Sequence, residues 1–369
     1  MRFPGFSGEW EQSTIGKCCN ELEYGMNAAA KEFDGVNKYI RITDIDEKSS
    51  TYKNNDIVSP DGDLDDKYIV RENDILFART GASTGKTYIY NPNDGVLYFA
   101  GFLIRANVKT HYDSKFIYQQ TKLSRYNKWV NIMSARSGQP GINSQEYSTY
   151  KLFLPTIEEQ QKVSAFINLL DKRIEAQNKI IQQLQSLIKG IYDKVFEDIS
   201  DYQKLSSVCT IQKGQQVNGE ELSELGDYYV MNGGIEPSGY YDRYNTYANT
   251  ISISEGGNSC GYVQYNNVPF WSGGHCYTLQ NIKEGYHNLF LYHYLKAREK
   301  EIMALRIGSG LPNIQKKDLE KFFVPILPLE TQVGIVDGIN KIETKLKQEK
   351  DILSAYQKQK AYLLRNLFI

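Results

Sequence analysis

The residues RTGASTGKT (79–87) form the first stretch of this chain whose types and spacing could do chemistry. A small-residue loop that ends in Gly-Lys-Thr is typical of phosphate loops, whose backbone amides and lysine bind nucleotides. That motif has the form G-x-x-x-x-G-K-[ST] and opens a helix. Here Gly81 and Gly85 enclose only three residues, and Lys86 is followed by the strand-like TYIY. We therefore predict a tight turn between two strands rather than an ATP site.

A second copy of this turn lacks the lysine. The stretch DILFARTGASTGKTYIY (74–90) resembles NTISISEGGNSCGYVQY (249–265), and the second turn, GNSCG, is followed by Tyr262 where the first has Lys86. A lysine needed for phosphate chemistry would not be expected to disappear from a repeated site. The glycines instead indicate a turn whose backbone a ligand can approach closely. Its hydroxyls and amides would suit the phosphates of a nucleic-acid backbone.

Two long amphipathic segments, residues 155–196 and 328–368, also repeat. Gln160 aligns with Gln332, an offset of 172 residues. Apolar residues three and four apart over several heptads are typical of a coiled-coil seam, here spanning about 48 Å. Both copies carry a polar residue at one aligned seam position, Gln177 and Glu349, which is either a register-setting device or a water-exposed slot. The predicted seam consists of Val163, Ile167, Leu170, Ile174, Ile181, Leu184, Ile188, Ile335, Ile339, Ile342, Leu346, Leu353, Tyr356 and Leu363.

Composition excludes several classes of protein. The 369 residues carry 43 basic and 44 acidic side chains, so any nucleic-acid site must rest on local charge. The five cysteines include no C-x-x-C pair and are not spaced with the four histidines as ligands, so we predict no metal site and a reducing, cytoplasmic location. The first residues lack a signal-peptide pattern, and no apolar run approaches the roughly 18 residues of a membrane span.

The repeats predict an α+β architecture. We expect two similar mixed α/β domains, each followed by a long helix, with the two helices pairing as an antiparallel coiled coil of pseudo-two-fold symmetry. The expected boundaries are a first domain at 1–154, a first helix at 155–198, a second domain at 199–325 and a second helix at 326–369.

No catalytic motif accompanies these domains, so we predict that the chain catalyses nothing alone. It has neither a G-x-G-x-x-G fingerprint nor the Asn/Asp-Pro-Pro-aromatic motif of amino-methyltransferases. Two diverged domains on a rigid paired helix could contact two unlike DNA half-sites about 34 Å apart. Two alternatives remain open at this point. One is a scaffold with two β-rich ligand-binding modules that is not specific for DNA, and the other is an enzyme that uses the glycine-rich turns for a nucleotide.

Four stretches carry a family resemblance: RFPGFSGEWEQSTIGKC at the start, DILFARTGASTGK, and above all LPTIEEQQKVSAFINLLDKRI and PILPLETQVGIVDGINKIETKL. Together they resemble the specificity (S) subunit of Type I restriction-modification systems over nearly the whole chain. The second helix departs from the pattern, with Thr331 in place of the glutamate before Gln332 and Gly338 aligned with Phe166. We interpret both departures as drift within a helix.

The resemblance implies two target recognition domains that bind an asymmetric, bipartite double-stranded DNA target with a fixed spacer. It implies that the helices dock two methyltransferase (M) subunits, and that restriction/translocase (R) subunits join through the M complex. S-adenosylmethionine, ATP and Mg would be bound by those partners, with no cofactor, catalytic residue or membrane contact in this chain.

Basic, hydroxyl and amide side chains near the turns are the candidate DNA contacts. Phosphate contacts are expected from Arg79, Thr80, Ser83, Lys86 and Arg136 in the first domain, and from Lys213, Asn258, Ser259, Arg306 and Ser309 in the second. Base contacts are expected from groups able to form bidentate hydrogen bonds, namely Arg41, Gln215, Gln216 and Asn218.

Overall fold

The structure is a computed structural model that describes residues 2–3, 5–47, 49–135, 139–197, 199–308 and 310–368. The chain forms two compact units. Unit 1 comprises Met1–Ala176 and Leu353–Ile369, and unit 2 comprises Gln177–Ile352. Each unit therefore holds one globular domain together with part of each long helix. The two long helices are α5 (Ile157–Glu197) and α9 (Leu329–Leu367).

Unit 1 is built on a four-stranded antiparallel sheet. Its short elements are β1 (Glu11–Thr14), α1 (Ile15–Cys18), β2 (Cys19–Tyr24), β3 (Ala29–Glu32), β4 (Lys38–Ile40), β5 (Val58–Asp61), β6 (Asp74–Ala78), β7 (Thr87–Ile89), β8 (Leu97–Phe99), β9 (Leu103–Val108), α2 (Ser114–Gln120), α3 (Ser124–Ser134), α4 (Ser144–Ser148) and β10 (Lys151–Leu154). The sheet has the order β2-β9-β6-β7. Strand β6 has the sequence DILFA and is buried at every position, as an inner strand covered on both faces must be.

Unit 2 repeats this plan. Its short elements are β11 (Tyr202–Lys204), β12 (Thr210–Lys213), β13 (Tyr228–Met231), β14 (Tyr240–Tyr241), β15 (Thr250–Ser254), β16 (Val263–Asn266), β17 (Trp271–Ser272), β18 (Cys276–Gln280), α6 (Asn288–Ala297), α7 (Glu299–Ala304), α8 (Lys316–Leu319) and β19 (Phe323–Pro325). The sheet β12-β18-β15-β16 matches that of unit 1. The parallel pair β13-β17 matches β4-β8, and the antiparallel pair β11-β19 matches β1-β10. The predicted α+β fold of two similar domains is confirmed.

The long helices pair within each unit. In unit 1 the start of α5 shares a core with the end of α9, where Val163 and Ile167 lie with Leu363 and Leu367. In unit 2 the end of α5 shares a core with the start of α9, as Phe196 and Val336 show. The pairing is therefore antiparallel, as predicted. Six of the predicted seam residues are buried (Val163, Ile167, Leu170, Ile181, Ile339 and Leu363) and the other eight are half-buried (Ile174, Leu184, Ile188, Ile335, Ile342, Leu346, Leu353 and Tyr356).

The polar seam position in unit 2 is a buried pair. Gln177 and Glu349 are only 7% and 6% exposed, so the slot is not open to water. Nε2 of Gln177 donates to the Glu349 carbonyl at 3.1 Å and also to its carboxylate. Lys345, one turn away, pairs with the same carboxylate at 2.5 Å. Hydrogen bonds from Lys345 and then Gln177 lower the pKa of Glu349. A satisfied pair of this kind favours one register, because slippage would leave a buried carboxylate unpaired.

A buried glutamine in the first turns of each long helix ties that helix to its own domain. In unit 1, Oε1 of Gln160 accepts from the backbone N–H of Asp113, the N-cap of α2, at 3.1 Å, and Nε2 donates to the Pro155 carbonyl. In unit 2, Oε1 of Gln332 accepts from the backbone N–H of His287, the N-cap of α6, at 2.8 Å. The repeated glutamine of the sequence motif is therefore a structural tie.

The first helix has defined partners in unit 1 at the two positions where the second helix departs from it. Arg2 donates to both carboxylate oxygens of Glu159 at 2.9 and 2.7 Å, and the ring of Phe3 meets Phe166 edge-on at 5.6 Å. Glu159 and Phe166 thus anchor the N-terminal residues on α5. Their aligned residues on α9, Thr331 and Gly338, are exposed. The interpretation of Thr331 and Gly338 as drift stays a prediction, while the α5 residues at the same positions each have a defined partner in unit 1.

Among the described residues, no helix combines the length and apolar character needed to cross a membrane.

Replacing Gln160 tests the tie in unit 1. Gln160→Leu leaves the Asp113 N–H and the Pro155 carbonyl without their partner, and we expect a loss of about 2 kcal/mol in the free energy of unfolding. The matched control is Gln161→Leu, which changes an exposed neighbour on the same helix. Calorimetry should show a lower Tm for Gln160→Leu only. Equal Tm values for the two variants would contradict the structural role.

Candidate nucleic-acid interface

Three turns meet at one end of the unit 1 sheet. They are residues 24–26 after β2, 79–85 after β6 and 100–102 before β9. Because β9 runs antiparallel to both neighbours, its first residue lies beside the last residues of β2 and β6. Backbone hydrogen bonds join the turns: the N–H of Gly25 donates to Leu103 at 3.2 Å, that of Arg79 to Phe102 at 3.0 Å, and that of Gly101 to Met26 at 2.8 Å. We call these three turns the rim of unit 1.

The corresponding turns of unit 2 are residues 213–215, 255–261 and 273–275, which we call the rim of unit 2. The N–H of Gly214 donates to the Cys276 carbonyl at 2.8 Å, and that of Glu255 donates to His275 at 2.9 Å. These bonds are the counterparts of Gly25 to Leu103 and of Arg79 to Phe102. The two rims therefore have the same backbone construction.

Glycine is required where the turns of each rim touch. A Cβ placed on Gly25 would lie 2.2 Å from the carbonyl oxygen of Ala100, and one placed on Gly214 would lie 2.3 Å from that of Gly273. Backbone cannot move away as a flexible side chain can, so any other residue would separate the turns. Gly85 and Gly261, at the ends of the longer turns, have φ values of +87° and +91°, which favour glycine for a different reason.

The turn that resembled a phosphate loop connects two strands, β6 and β7, as predicted. In this turn the backbone N–H of Gly81 donates to the Pro140 carbonyl at 2.9 Å. In the corresponding turn of unit 2, the N–H of Gly257 donates to the Pro312 carbonyl at 3.0 Å. These bonds show that Gly81 corresponds to Gly257. An end-to-end alignment of residues 74–90 with 249–265 would instead pair Gly81 with the preceding residue, Gly256. Lys86 then matches Tyr262, as the sequence comparison of the two turns indicated.

The predicted DNA contacts of unit 1 differ in whether a carboxylate pairs with their charged group. Arg79, Thr80, Ser83 and Lys86 all lie in or next to the rim. Nζ of Lys86 pairs with Glu47 at 2.7 Å, which lowers the pKa of that carboxyl. Arg79 is different, since its guanidinium lies over the ring of Tyr24 at 4.9 Å. Arg79 is thus stacked rather than ion-paired within the described part of unit 1.

Arg41 is close to the rim of unit 1 but is held by an acid. It follows β4, and the N–H of Ala100 donates to the carbonyl of the preceding Ile40 at 3.0 Å. Its Nε and Nη2 donate to the two carboxylate oxygens of Asp44 at 2.8 and 2.9 Å. These hydrogen bonds raise the pKa of Arg41. Arg136 lies outside the described residues.

The predicted contacts of unit 2 are grouped more loosely. Lys213, Gln215, Asn258 and Ser259 are part of the rim, and the side chain of Gln216 covers Gly274. Arg306 precedes Ile307, which bridges to Asn313, and Asn313 bridges to Gly256 in the rim. Asn218 lies farther along the chain and donates to Glu221 at 3.2 Å. Ser309 lies outside the described residues. All of these assignments to DNA remain predictions.

The rim residues that were not among the sequence candidates include Tyr24, Phe102, Glu255 and His275. The rings of Phe102 and His275 are 59% and 63% exposed. The Tyr24 hydroxyl accepts from the side chain and backbone of Ser144 at 3.2 Å, and these hydrogen bonds lower its pKa. The signal that could have found three of them is a glycine in the same turn, because Gly25, Gly101 and Gly274 directly neighbour Tyr24, Phe102 and His275. Glu255 precedes Gly256, whose counterpart in unit 1 is Thr80, so no repeated glycine marks it.

Glu255 is a buried acid at the centre of the unit 2 rim. Its Oε1 lies 2.7 Å from Nζ of Lys213 and accepts from the Tyr277 hydroxyl at 2.9 Å. His275 Nδ1 lies 3.5 Å from the other carboxylate oxygen. Burial, followed by the hydrogen bond to Glu255, raises the pKa of Tyr277. Among the described residues, no cluster of three His, Cys, Asp or Glu side chains could hold a metal ion.

Comparison with known proteins assigns the chain to one family model. The model of the Type I restriction modification DNA specificity domain matches residues 8–186 and again residues 199–355. The two matches correspond to the two repeats, and together they cover most of the chain. They confirm the family that the sequence motifs resembled.

Individual relatives agree with this assignment. A curated type I specificity subunit of Mycoplasma pneumoniae is 30% identical over 166 residues, 44% of this chain and 44% of that protein. The chain therefore spans less than half of the length of that relative. A type I restriction enzyme specificity subunit of Methanocaldococcus jannaschii is 22% identical over 95% of this chain and 91% of its own. The solved S subunit of a Type I restriction-modification system from M. genitalium has the same fold, with a TM-score of 0.72 and 19% identity over 100% of this chain and 99% of that one.

Adding one methyl group to the rim of unit 2 tests its construction. We expect Gly214→Ala to push the turns apart, because the new Cβ meets backbone oxygen, at a cost of about 1–3 kcal/mol. Gly219→Ala is the control, since a Cβ there meets nothing within 4 Å. Calorimetry should show a lower Tm for Gly214→Ala alone. A wild-type Tm for this variant would show that the turns do not meet as described.

Proposed function

The chain belongs to the family of Type I restriction-modification specificity subunits, and from this membership we propose that it recognises an asymmetric, bipartite double-stranded DNA target. Each unit contacts one half of the target through its rim. The observation that carries the proposal is the duplication of one glycine-built rim on two domains whose rim side chains differ. Two domains with one backbone and different side chains suit two half-sites of different sequence.

The helices provide the surface for the M subunits in this proposal. On α5, Phe166 and Leu169 are 38% and 53% exposed in unit 1, and Ile180 and Leu187 are 39% and 50% exposed in unit 2. Within each unit the two residues are three or seven positions apart, a spacing that places both on one side of a helix. Large apolar side chains exposed beside a seam that is already filled suit a further helix or domain of a partner.

The chain contributes recognition and no catalytic group in this proposal. S-adenosylmethionine, ATP and Mg are bound by the M subunits and by R subunits that join through them. The five free cysteines are all buried, which suits the reducing cytoplasm expected from the sequence.

Methylome sequencing of a host that expresses the chain with its own M subunits tests the DNA proposal. We expect methylation confined to one two-part motif with unlike halves and a gap of constant length. The scaffold alternative predicts that removing this chain leaves the methylation pattern unchanged. A single continuous or palindromic motif would contradict the assignment of one half-site to each unit.

A charged substitution on α5 tests M docking. Leu169→Asp places a carboxylate in the proposed apolar contact, and we expect at least tenfold weaker association with the M subunit, since burying an unpaired charge is costly. Leu169→Met is the control, because it keeps an apolar side chain of similar volume. Size-exclusion chromatography and calorimetric titration with the M subunit measure the effect. Equal affinity for both variants would place the M interface elsewhere.

A further inference from the structure

The rim hydrogen bonds pair individual positions of the two units. Arg79 and Glu255 each donate a backbone N–H to the residue before the inner strand β9 or β18, namely Phe102 or His275. Tyr24 and Lys213 each end the outer strand and precede the glycine that donates to that inner strand. The homologous pairs are therefore Tyr24 with Lys213, Arg79 with Glu255, and Phe102 with His275.

The three pairs combine a common backbone with unlike side chains. Unit 1 has a phenol, a guanidinium and a phenyl ring, whereas unit 2 has an ammonium, a carboxylate and an imidazole. Phosphates are the same at every step of DNA, so a set of phosphate contacts has no reason to change its chemistry from one copy to the other. Base edges do differ, and their recognition requires donors, acceptors and apolar groups matched to each half-site.

We propose that these rim positions are the base-reading positions, with Arg79 and Phe102 contacting bases in one half-site and Lys213 and His275 contacting bases in the other. This inference rests on the proposed function and deepens it by naming the specificity-determining residues. It reassigns Arg79 and Lys213, which the sequence placed among the phosphate contacts.

The surroundings of Arg79 and Phe102 suit contacts with base edges. The Arg79 guanidinium stacks on Tyr24, and Tyr24 is held in turn by Ser144. A guanidinium oriented by an aromatic ring keeps its forked donors for a planar acceptor pair such as guanine O6 and N7. Phe102 has no charge and is 59% exposed, so it offers an apolar surface to a thymine methyl group or to a base step.

In the unit 2 rim, the proposed base contact comes from the ammonium group of Lys213, which a neighbouring acid orients. Glu255 is 8% exposed and cannot itself reach a base, so it is a positioning residue. It holds Lys213 at 2.7 Å and is fixed by Tyr277 at 2.9 Å. Lys213 remains half-exposed, and His275 is 63% exposed beside it. Both offer hydrogen-bond donors, and lysine is a donor to guanine acceptors in the major groove.

Four full-length variants co-expressed with the M subunits test the inference. Arg79→Gln and Lys213→Gln remove one base contact each, while Lys115→Gln and Lys283→Gln are matched controls. The control lysines are exposed and lie beyond the opposite ends of β9 and β18. Methylome sequencing gives the motif of each complex, and binding to a panel of single-base variants gives the preference at each position.

We expect each rim variant to relax one base position in one half-site, by about 5- to 150-fold in relative affinity, with the other half-site unchanged. The two rim variants should affect opposite half-sites, and the controls should retain the wild-type motif. A uniform loss of affinity for all sequences with a flatter salt dependence would overturn the inference, since that is the behaviour of phosphate contacts. That result would leave the proposed function intact, because the wild-type motif tests it separately.

Glu255→Gln tests the positioning role. The amide keeps the shape of the side chain and a hydrogen bond to Tyr277 but removes the charge that holds Lys213. We expect relaxation at the same base position as in Lys213→Gln, and no further relaxation in the double variant. A lower Tm with unchanged base preference would show a merely structural role and would overturn this part of the inference.

Discussion

The structure of each unit depends on one buried glutamine. Gln160 and Gln332 lie in the first turns of the long helices and hydrogen-bond to the N-cap residue of the first helix after the central sheet. A buried amide without these partners would destabilise the fold more than an apolar residue in the same place. The glutamine therefore favours the one helix direction in which its hydrogen bonds are made. The direction of that helix then decides which apolar stripe faces the second helix and which side chains stay exposed.

The two repeats share the helix seam and the backbone of the rims, but the side chains of the rims differ. At one aligned polar position of the seam, Gln177 donates a hydrogen bond to Glu349. The rims share glycines that no larger residue could replace where two turns touch. Around these glycines the side chains of the two rims differ. Backbone hydrogen bonds join the turns in both units, so unlike side chains can occupy the same positions of the two rims.

The two repeats are also unequal for reasons outside recognition. Arg2 and Phe3 of unit 1 are bound by Glu159 and Phe166. Thr331 and Gly338, at the aligned positions of α9, are exposed instead. These differences concern the packing of Arg2 and Phe3 on α5. Those at Arg79 and Glu255 concern what each copy is proposed to bind.

The sequence alone determined the elements whose signal is periodic or duplicated. Heptad spacing predicted α5 and α9, and their duplication predicted the antiparallel pairing. The glycine spacing at Gly81 and the missing lysine at Tyr262 predicted a turn between strands. The rim could not be predicted in the same way, because Tyr24, Arg79 and Phe102 are far apart in the chain and meet only when antiparallel strands bring three turns together. Side-chain type also did not reveal which charges are free. Only the tertiary structure places a carboxylate beside Arg41, Lys86 and Lys213, and an aromatic ring beside Arg79. The spacing of apolar residues in the sequence reveals a helix, whereas the partner of a charged side chain is decided by which residues folding brings beside it.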